Sequence, residues 1–443
     1  MGRGSRAIDR IAAAVAHLFY RVDVAGRPLQ NGPLLLLPNH FNALLDPALV
    51  MATAGRPVRF LAKSTLFAGP FRPLLGAAST IPVYRKQDGV ETGKNDETFA
   101  AVHAALSRGE AVCVFPEGIS HSSGRLEELR TGAARMALSA AASGIDVHMV
   151  PVGINLERKT TFRSRATVAY GAPFRVVAVE ANSDAVRQLT RHIGDHMRAL
   201  LVEADPEGDA QLVERLNRLY VAGRAAEDDA ATDVERRKTI ADAVRRVRLE
   251  QPEFYASALI QLRRYDDRLR RFGLTDDALD WDVSHAAALA FIAREAPLAV
   301  VLLPFAAAAI VTFAVPYGLT ALASRITRET DVTATVKVVA GTLIYSMWMA
   351  ALVGFAWWSG GLLPATLAVM TVPLLAVGGL LAIERESSAW QTARSWFAAR
   401  GARHTTRTAL RRRRAELAEV LDEVHAWIAS AEADRTASAD HIR

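Results

Sequence analysis

The chain has 443 residues, 51% of them hydrophobic and 23% charged, which suits about three units at about 150 residues each and is too apolar for disorder. Its single cysteine, Cys113, excludes an internal disulfide and any cysteine-based structural zinc site. The formal charge of +6, from 53 basic and 47 acidic residues, is too small an excess to imply nucleic-acid binding.

Residues 1–24 read as an amphipathic helix. Ile8, Ile11, Val15, Leu18 and Val22 recur at helical spacing, with Arg3, Arg6, Arg10 and Arg21 distributed around them. The segment lacks the small-residue cleavage site of a signal peptide, and Arg6 stands where a myristoylation motif needs Ser or Thr. Such a helix suits a membrane surface or the flank of a folded core.

From 25 to 205 short apolar runs alternate with helical ones. Leu34 to Leu37, Val58 to Ala62, Thr80 to Val83, Ala111 to Phe115, His148 to Val152 and Thr167 to Tyr170 read as strands. Glu97 to Ser107 and Leu129 to Ala142 read as helices between them. The alternation predicts an α/β domain, a largely buried sheet flanked by helices. From 206 to 290 the chain is highly charged with helical period, which predicts a helical connector.

Residues 291–385 hold three apolar runs that reach or approach the roughly 20 residues a bilayer demands. Pro297 to Ala323 is uncharged but interrupted by Pro304, Pro316 and Gly318; Val338 to Trp358 ends in two tryptophans; Leu362 to Ile383 follows the turn Ser359-Gly360-Gly361. The second and third predict a C-terminal transmembrane helical hairpin. The first is expected to be re-entrant or interfacial, broken at its prolines, with a third full span as the alternative. In the tail, 386–443, the stretch from Ser387 to Arg414 carries eight arginines and no acidic residue, which reads as a juxtamembrane polybasic segment. Lys and Arg favour the cytoplasmic side, so the tail is expected there, and the uncharged turn on the other side.

Two strand ends could carry chemistry. After the leucine strand comes Pro38-Asn39-His40-Phe41-Asn42-Ala43-Leu44-Leu45-Asp46. A histidine at the rim of a sheet can take a proton near neutral pH, and a carboxylate can fix its tautomer. The second is Phe115-Pro116-Glu117-Gly118-Ile119-Ser120, where Gly118 permits close backbone approach and a following turn can offer N–H groups to a phosphate. Taken singly, each also fits a bland strand-to-turn junction. Cys113, inside a strand, reads as a small buried hydrophobe.

Taken in order, these segments resemble the glycerophospholipid acyltransferase family, which includes the bacterial 1-acylglycerol-3-phosphate acyltransferases. The resemblance covers roughly Gly32 to Phe174 in four blocks: Asn39, His40 and Asp46; Thr80-Ile81-Pro82-Val83-Tyr84-Arg85; Phe115 to Gly118; and Val150-Pro151-Val152. The commoner family pattern has four residues between histidine and aspartate, and here there are five, Phe41 to Leu45. That loop is similar to the one in dual-specificity glycerol-3-phosphate/dihydroxyacetone-phosphate acyltransferases. Ser79 and Ile119 also depart from the usual glycine and threonine.

The resemblance implies an acyltransferase-like mixed sheet and direct acyl transfer in phospholipid synthesis, without a metal or a cofactor beyond its co-substrate, acyl-CoA or acyl carrier protein. His40, oriented by Asp46, would deprotonate the acceptor hydroxyl. Arg85 would clamp the acceptor phosphate, with Glu117, Gly118, Asn39 and Ser120 shaping the same site. The favoured acceptor is glycerol 3-phosphate or dihydroxyacetone phosphate, with lysophosphatidate as the alternative. An integral membrane protein with its catalytic domain at the cytoplasmic face is expected. The rivals are a lipid hydrolase using His40 with Ser120 or a water, and a catalytically inactive membrane lipid-binding protein.

Overall fold

Leu34 to Leu37 are all fully buried, and a strand that is apolar on both faces has to lie between two covering layers. In the computed structural model, which describes residues 3–68, 72, 76, 78, 80–84, 95–121, 123–178, 182–204, 207–222, 224, 229–325 and 330–440, these leucines form β2 (Leu34–Pro38) in the middle of a mixed sheet. The other strands are β1 (Tyr20–Ala25), β3 (Val58–Lys63), β4 (Ile81–Val83), β5 (Ala111–Cys113), β6 (His148–Leu156), β7 (Ser164–Tyr170) and β8 (Phe174–Arg175). Their order is β1-β7-β6-β2-β5-β3-β4, with β8 also on β6. β2 is parallel to β5 and β6, β5 to β3, and β3 to β4, while β7 and β8 run antiparallel to β6.

The chain divides into two compact units. The first comprises Met1–Glu214, Glu227–Ala241 and Arg328–Thr335. In it α3 (Asn95–Ser107), α4 (Gly132–Ala142) and α5 (Ser183–Arg198) bury Leu35 and Leu37 in one core with Val112, Val114 and Met149. Strand alternation sends Leu34 and Leu36 to the other face. Each buried leucine contributes about 1.5–3 kcal/mol. α1 (Arg3–Phe19) packs on α2 (Leu45–Thr53).

The N-terminal helix therefore ends five residues before the expected boundary, because Tyr20 to Ala25 pair with β7 as a sheet strand. Val22 and Val24 are β-branched and suit the pleated surface, whereas a sixth helical turn would have to break those bonds. α1 buries Ala16 and Phe19 and leaves Ile11 and Leu18 exposed.

Pro151 sits inside β6 without a backbone donor, in the gap where β6 changes partner: β8 pairs with Met149 and β7 begins at Val152. Beyond this point the sheet is extended by side chains. Asn155 Nδ2 donates to Leu200 O (2.9 Å), and its Oδ1 accepts from Val202 N (2.8 Å). That brings the 200–202 backbone so close to β6 that a Cβ on Gly153 would lie 2.5 Å from Leu200 O.

The second unit comprises Arg215–Ala226, Asp242–Thr327 and Val336–Arg443. Its helices include α8 (Pro252–Phe272), α9 (His285–Ser324), α11 (Leu362–Gly401) and α12 (His404–Asp440), while α6 (Glu207–Val221), α7 (Ala230–Glu250) and α10 (Thr330–Gly360) contribute residues to both units. Three of these helices are long and apolar enough to cross a membrane: His285–Ser324, Thr335–Gly360 and Leu362–Gly401.

The first apolar run is not broken at its prolines. Pro297, Pro304 and Pro316 all lie inside the continuous helix α9, and the reason is visible at Pro316. A helical proline leaves the carbonyl four residues earlier without its donor, and here Trp348 Nε1 donates to Thr312 O at 2.9 Å. α9 and α11 pack antiparallel through small residues, with a Cβ on Gly379 falling 2.1 Å from Ala309 Cβ. The start of α9 and the end of α11 meet through Arg385 on Glu295 (2.7 Å), Trp396 Nε1 on Asp282 O (3.1 Å) and Arg400 on Val283 O (3.0 Å).

The arginine block is not a uniform polybasic surface. Arg407 donates to Leu279 O (2.9 Å) and Trp281 O (2.8 Å), Arg411 to Leu279 O (2.7 Å), and Arg414 to Asp276 O (2.7 Å) and Asp280 (2.6 Å). The 276–281 segment holds only a short 3-10 helix (Asp277–Leu279), and forked guanidinium donors reach several of its carbonyls at once. Arg407 and Arg414 are consequently buried.

Two substitutions test this packing. Gly153→Ala is expected to cost about 1–3 kcal/mol through overlap with Leu200 O, read as a lower denaturant midpoint in detergent solution. Trp348→Phe keeps an aromatic side chain but removes the indole N–H and strands Thr312 O, at a cost of about 1–3 kcal/mol, read as a lower thermal midpoint.

Candidate active site

β2 and β5 are adjacent parallel strands whose connections leave in opposite directions, to β3 on one side and β6 on the other. Such a switch point opens a crevice beyond the carboxyl ends of the strands. Both segments singled out in the sequence emerge there.

Asn39 ends the leucine strand as a clamp. Its Oδ1 accepts from Ile154 N (2.7 Å) and its Nδ2 donates to Ile154 O (3.1 Å), so the side chain continues the β2/β6 pairing one residue further. Asn39 is fully buried and, contrary to the expectation from sequence, its amide is turned into the sheet rather than toward a substrate.

The chain then folds back on itself. Leu45 N and Asp46 N both donate to Asn42 O (2.9 and 3.1 Å) as α2 begins. Asp46 lies in the first turn of that helix, where the exposed N–H ends favour a negative charge. Its Oδ2 accepts from Asn42 N (2.6 Å) and faces His40 Nδ1 at 3.0 Å. The five-residue spacing therefore closes into a His–Asp pair. Asp46 is fully buried, while the His40 side chain remains 17% exposed. With Nδ1 protonated toward Asp46, the lone pair is on Nε2. The ring also stacks on Phe115, centroids 4.1 Å apart, which adds a second constraint on its orientation.

Glu117 does not face outward as a ligand-binding carboxylate. It is 1% exposed, and both its oxygens are engaged: Oε1 accepts from His40 N (2.7 Å), and Oε2 accepts from Glu127 N (2.8 Å) and pairs with His121 Nε2 (2.5 Å). A carboxylate with several donors costs less to bury than one without. Gly118 adopts a left-handed φ of +72°, and its N–H closes the turn onto Phe115 O (3.1 Å). A Cβ there would lie 3.3 Å from Arg130 Cγ.

Ser120 Oγ accepts from Ala43 N (3.0 Å) and His121 N donates to His40 O (3.1 Å). With the Glu117 bond, three hydrogen bonds among the described residues join the two loops. Lys159 Nζ donates to His121 O (3.1 Å) from the turn after β6. His121, which sequence reasoning left outside the site, carried one usable signal: it stands four residues after Glu117.

Behind the pair lies a buried polar cluster. Asn42 Nδ2 donates to Tyr20 OH (2.7 Å), and Tyr20 OH donates to Lys159 O. Burial and the Asp46 charge push the Tyr20 hydroxyl up, and the same two causes push the Cys113 thiol well up. Both stay neutral beside Asp46, so Cys113 is a packed strand residue and no thiolate. β4 ends at the same sheet edge as β2 and β5, and Arg85, two residues later, lies outside the described residues. Among the described residues no three His, Cys, Asp or Glu side chains are grouped to hold a metal ion.

Comparison with known proteins agrees with this region. Residues 21–155 match the family model described as Acyltransferase. Glycerol-3-phosphate O-acyltransferases 1 and 2 of Saccharomyces cerevisiae are 33% identical over 126 residues and 31% identical over 134 residues, covering 26% and 28% of this chain. An uncharacterized acyltransferase of Schizosaccharomyces pombe is 26% identical over 136 residues, covering 28% of this chain. The chain spans 17%, 18% and 20% of the length of these relatives. Among solved structures, the 1-acyl-sn-glycerophosphate acyltransferase PlsC of Thermotoga maritima matches with a TM-score of 0.32 at 15% identity, over 43% of this chain and 77% of that one. Residues 21–155, which hold the His–Asp pair and the loop that braces it, are an acyltransferase-family domain.

Proposed function

We propose that this protein transfers a fatty acyl group from an acyl thioester to a glycerol-phosphate acceptor in glycerolipid synthesis, with glycerol 3-phosphate or dihydroxyacetone phosphate favoured. The observation that carries the reading is the His40–Asp46 pair, 3.0 Å apart within the acyltransferase domain. The names of the yeast relatives support glycerol 3-phosphate as acceptor.

In this mechanism His40 Nε2 takes the proton of the acceptor hydroxyl as its oxygen attacks the thioester carbonyl. Asp46 stabilises the imidazolium that forms. Collapse of the tetrahedral intermediate breaks the C–S bond, and the imidazolium returns the proton to the departing thiolate of CoA or acyl carrier protein. No acyl-enzyme is needed. Arg85 clamps the acceptor phosphate, by the bidentate geometry a guanidinium offers. Glu117 acts one step back, by holding His40 N and the loop after β5.

The apolar helices α9, α10 and α11 support a membrane protein, whose catalytic domain works at the cytoplasmic face, where the thioester donor is found. An acylated product can then pass directly into the leaflet. Retention of both His40 and Asp46 disfavours an inactive lipid-binding protein, and the engagement of Ser120 Oγ by Ala43 N gives that hydroxyl a bracing role in place of the nucleophilic one a hydrolase would need.

His40→Ala is expected to lower turnover by about 10²–10⁴ with normal membrane-associated protein; full activity would refute the base assignment. Arg85→Ala should raise the KM for the phosphate-bearing acceptor far more than that for the acyl donor, and equal effects would make Arg85 structural. Glu117→Gln should lower kcat with little change in acceptor KM, since it disturbs the histidine loop. Membranes assayed in parallel with glycerol 3-phosphate, dihydroxyacetone phosphate and lysophosphatidate identify the acceptor. Fatty acid release from phospholipid without acyl transfer would overturn the reading in favour of a hydrolase.

A further inference from the structure

We propose that Tyr20 is a positioning residue for the His40–Asp46 pair, acting through Asn42. The proposal rests on the general-base reading above and adds a residue that lies outside all four motif blocks.

Tyr20 opens β1 and is fully buried. Two features fix where it stands. It is in register with Ser164 of β7, and the end of α1 just before it is anchored by Arg163, whose N–H donates to Phe19 O (2.6 Å) and whose Nη1 donates to His17 O (2.7 Å). Arg163 holds a left-handed φ of +61°, a conformation rare for residues other than glycine and retained only where the surroundings impose it.

A phenol has one proton to give. The Lys159 carbonyl has none to offer, so Tyr20 OH donates to it and accepts from Asn42 Nδ2 at 2.7 Å. This fixes which end of the Asn42 amide faces Tyr20. The same residue's backbone N–H points the other way, onto Asp46 Oδ2 at 2.6 Å, and that oxygen is the one facing His40 Nδ1. Asn42 is thus held at its tip by Tyr20 and holds the catalytic carboxylate with its backbone.

The arrangement has little redundancy. Among the described residues neither Asp46 Oδ1 nor Asn42 Oδ1 has a hydrogen-bond partner, so the carboxylate is oriented through Oδ2 alone. Without the Tyr20 hydroxyl, the Asn42 amide keeps only its longer contact with Lys159 O at 3.3 Å. The neutrality of Tyr20 beside the Asp46 charge, from burial and that charge together, keeps the phenol a donor over the working pH range.

The test uses the full chain in membranes, with long-chain acyl-CoA and whichever of the three acceptors the unaltered protein turns over. Tyr20→Phe removes one oxygen and is expected to lower kcat by about tenfold or more, as loss of alignment does, with both KM values within about twofold. In an Asp46→Asn background, Tyr20→Phe should cause no further loss, because its route to His40 is already cut. Asn42→Ala keeps the backbone N–H and breaks the same contact from the other side; the double variant with Tyr20→Phe should be no worse than Asn42→Ala alone. Full activity of Tyr20→Phe, or an equal fractional loss in both backgrounds, overturns the proposal. If His40→Ala stays active, the general-base reading fails; if His40→Ala is inactive and Tyr20→Phe is fully active, only the role of Tyr20 fails.

Discussion

A carboxylate with no exposure to water is the constraint around which the catalytic unit is organised. Burying Asp46 is costly unless donors and local fields offset the loss of hydration. The fold supplies them from three sources: the first turn of α2, the Asn42 peptide, and the His40 ring. Everything near that charge must stay neutral or donate, and Tyr20 and Cys113 do stay neutral. The proposed general-base role of His40 would draw on the same arrangement, because a buried carboxylate facing Nδ1 at 3.0 Å would stabilise the imidazolium formed in that step.

The second buried carboxylate, Glu117, does different work with the same physics. It meets His40 at the backbone N–H and ties that loop to the loop after β5, where its other oxygen holds Glu127 N and the His121 ring. The polar side chains of this domain repeatedly replace backbone pairing where the sheet runs out, as Asn39 and Asn155 do along β6. Loops built this way sit on the scaffold of the strands with few free dihedrals, and that is how a site on loops gains the precision of one on regular elements.

How much of this was legible depends on the range of the interactions. Strands β2 to β7 could be read from local apolar runs, and the strand ends pointed to His40, Asp46 and Glu117, because period and position are local properties. The inward turn of Asn39 and Glu117 was not legible. A carboxylate after a strand looks the same in sequence whether its partners are solvent or the peptide ten residues on at Glu127. Tyr20 falls inside the helix expected over 1–24 because the apolar spacing runs on from Leu18 to Val22, and only pairing with β7, over 140 residues away in the chain, separates helix from strand. Arginines at 407, 411 and 414 looked like a charge cloud because composition does not show the carbonyls of 276–281 that bind them.

The apolar unit obeys the same rule of internal satisfaction, for the opposite reason. In the catalytic domain polar groups are paired because they are buried by protein; along a bilayer-length helix they must be paired because lipid offers no donors. A proline at 316 would be a break in a solvent-exposed helix, where water could take the freed carbonyl and the chain could turn. Here the indole of Trp348 takes it, so continuity of the helix becomes the lower-energy outcome. Proline content alone therefore does not distinguish a re-entrant loop from a continuous span. What distinguishes them is whether a neighbouring helix carries a donor at the depth of the orphaned carbonyl, and the aromatic at 348 does.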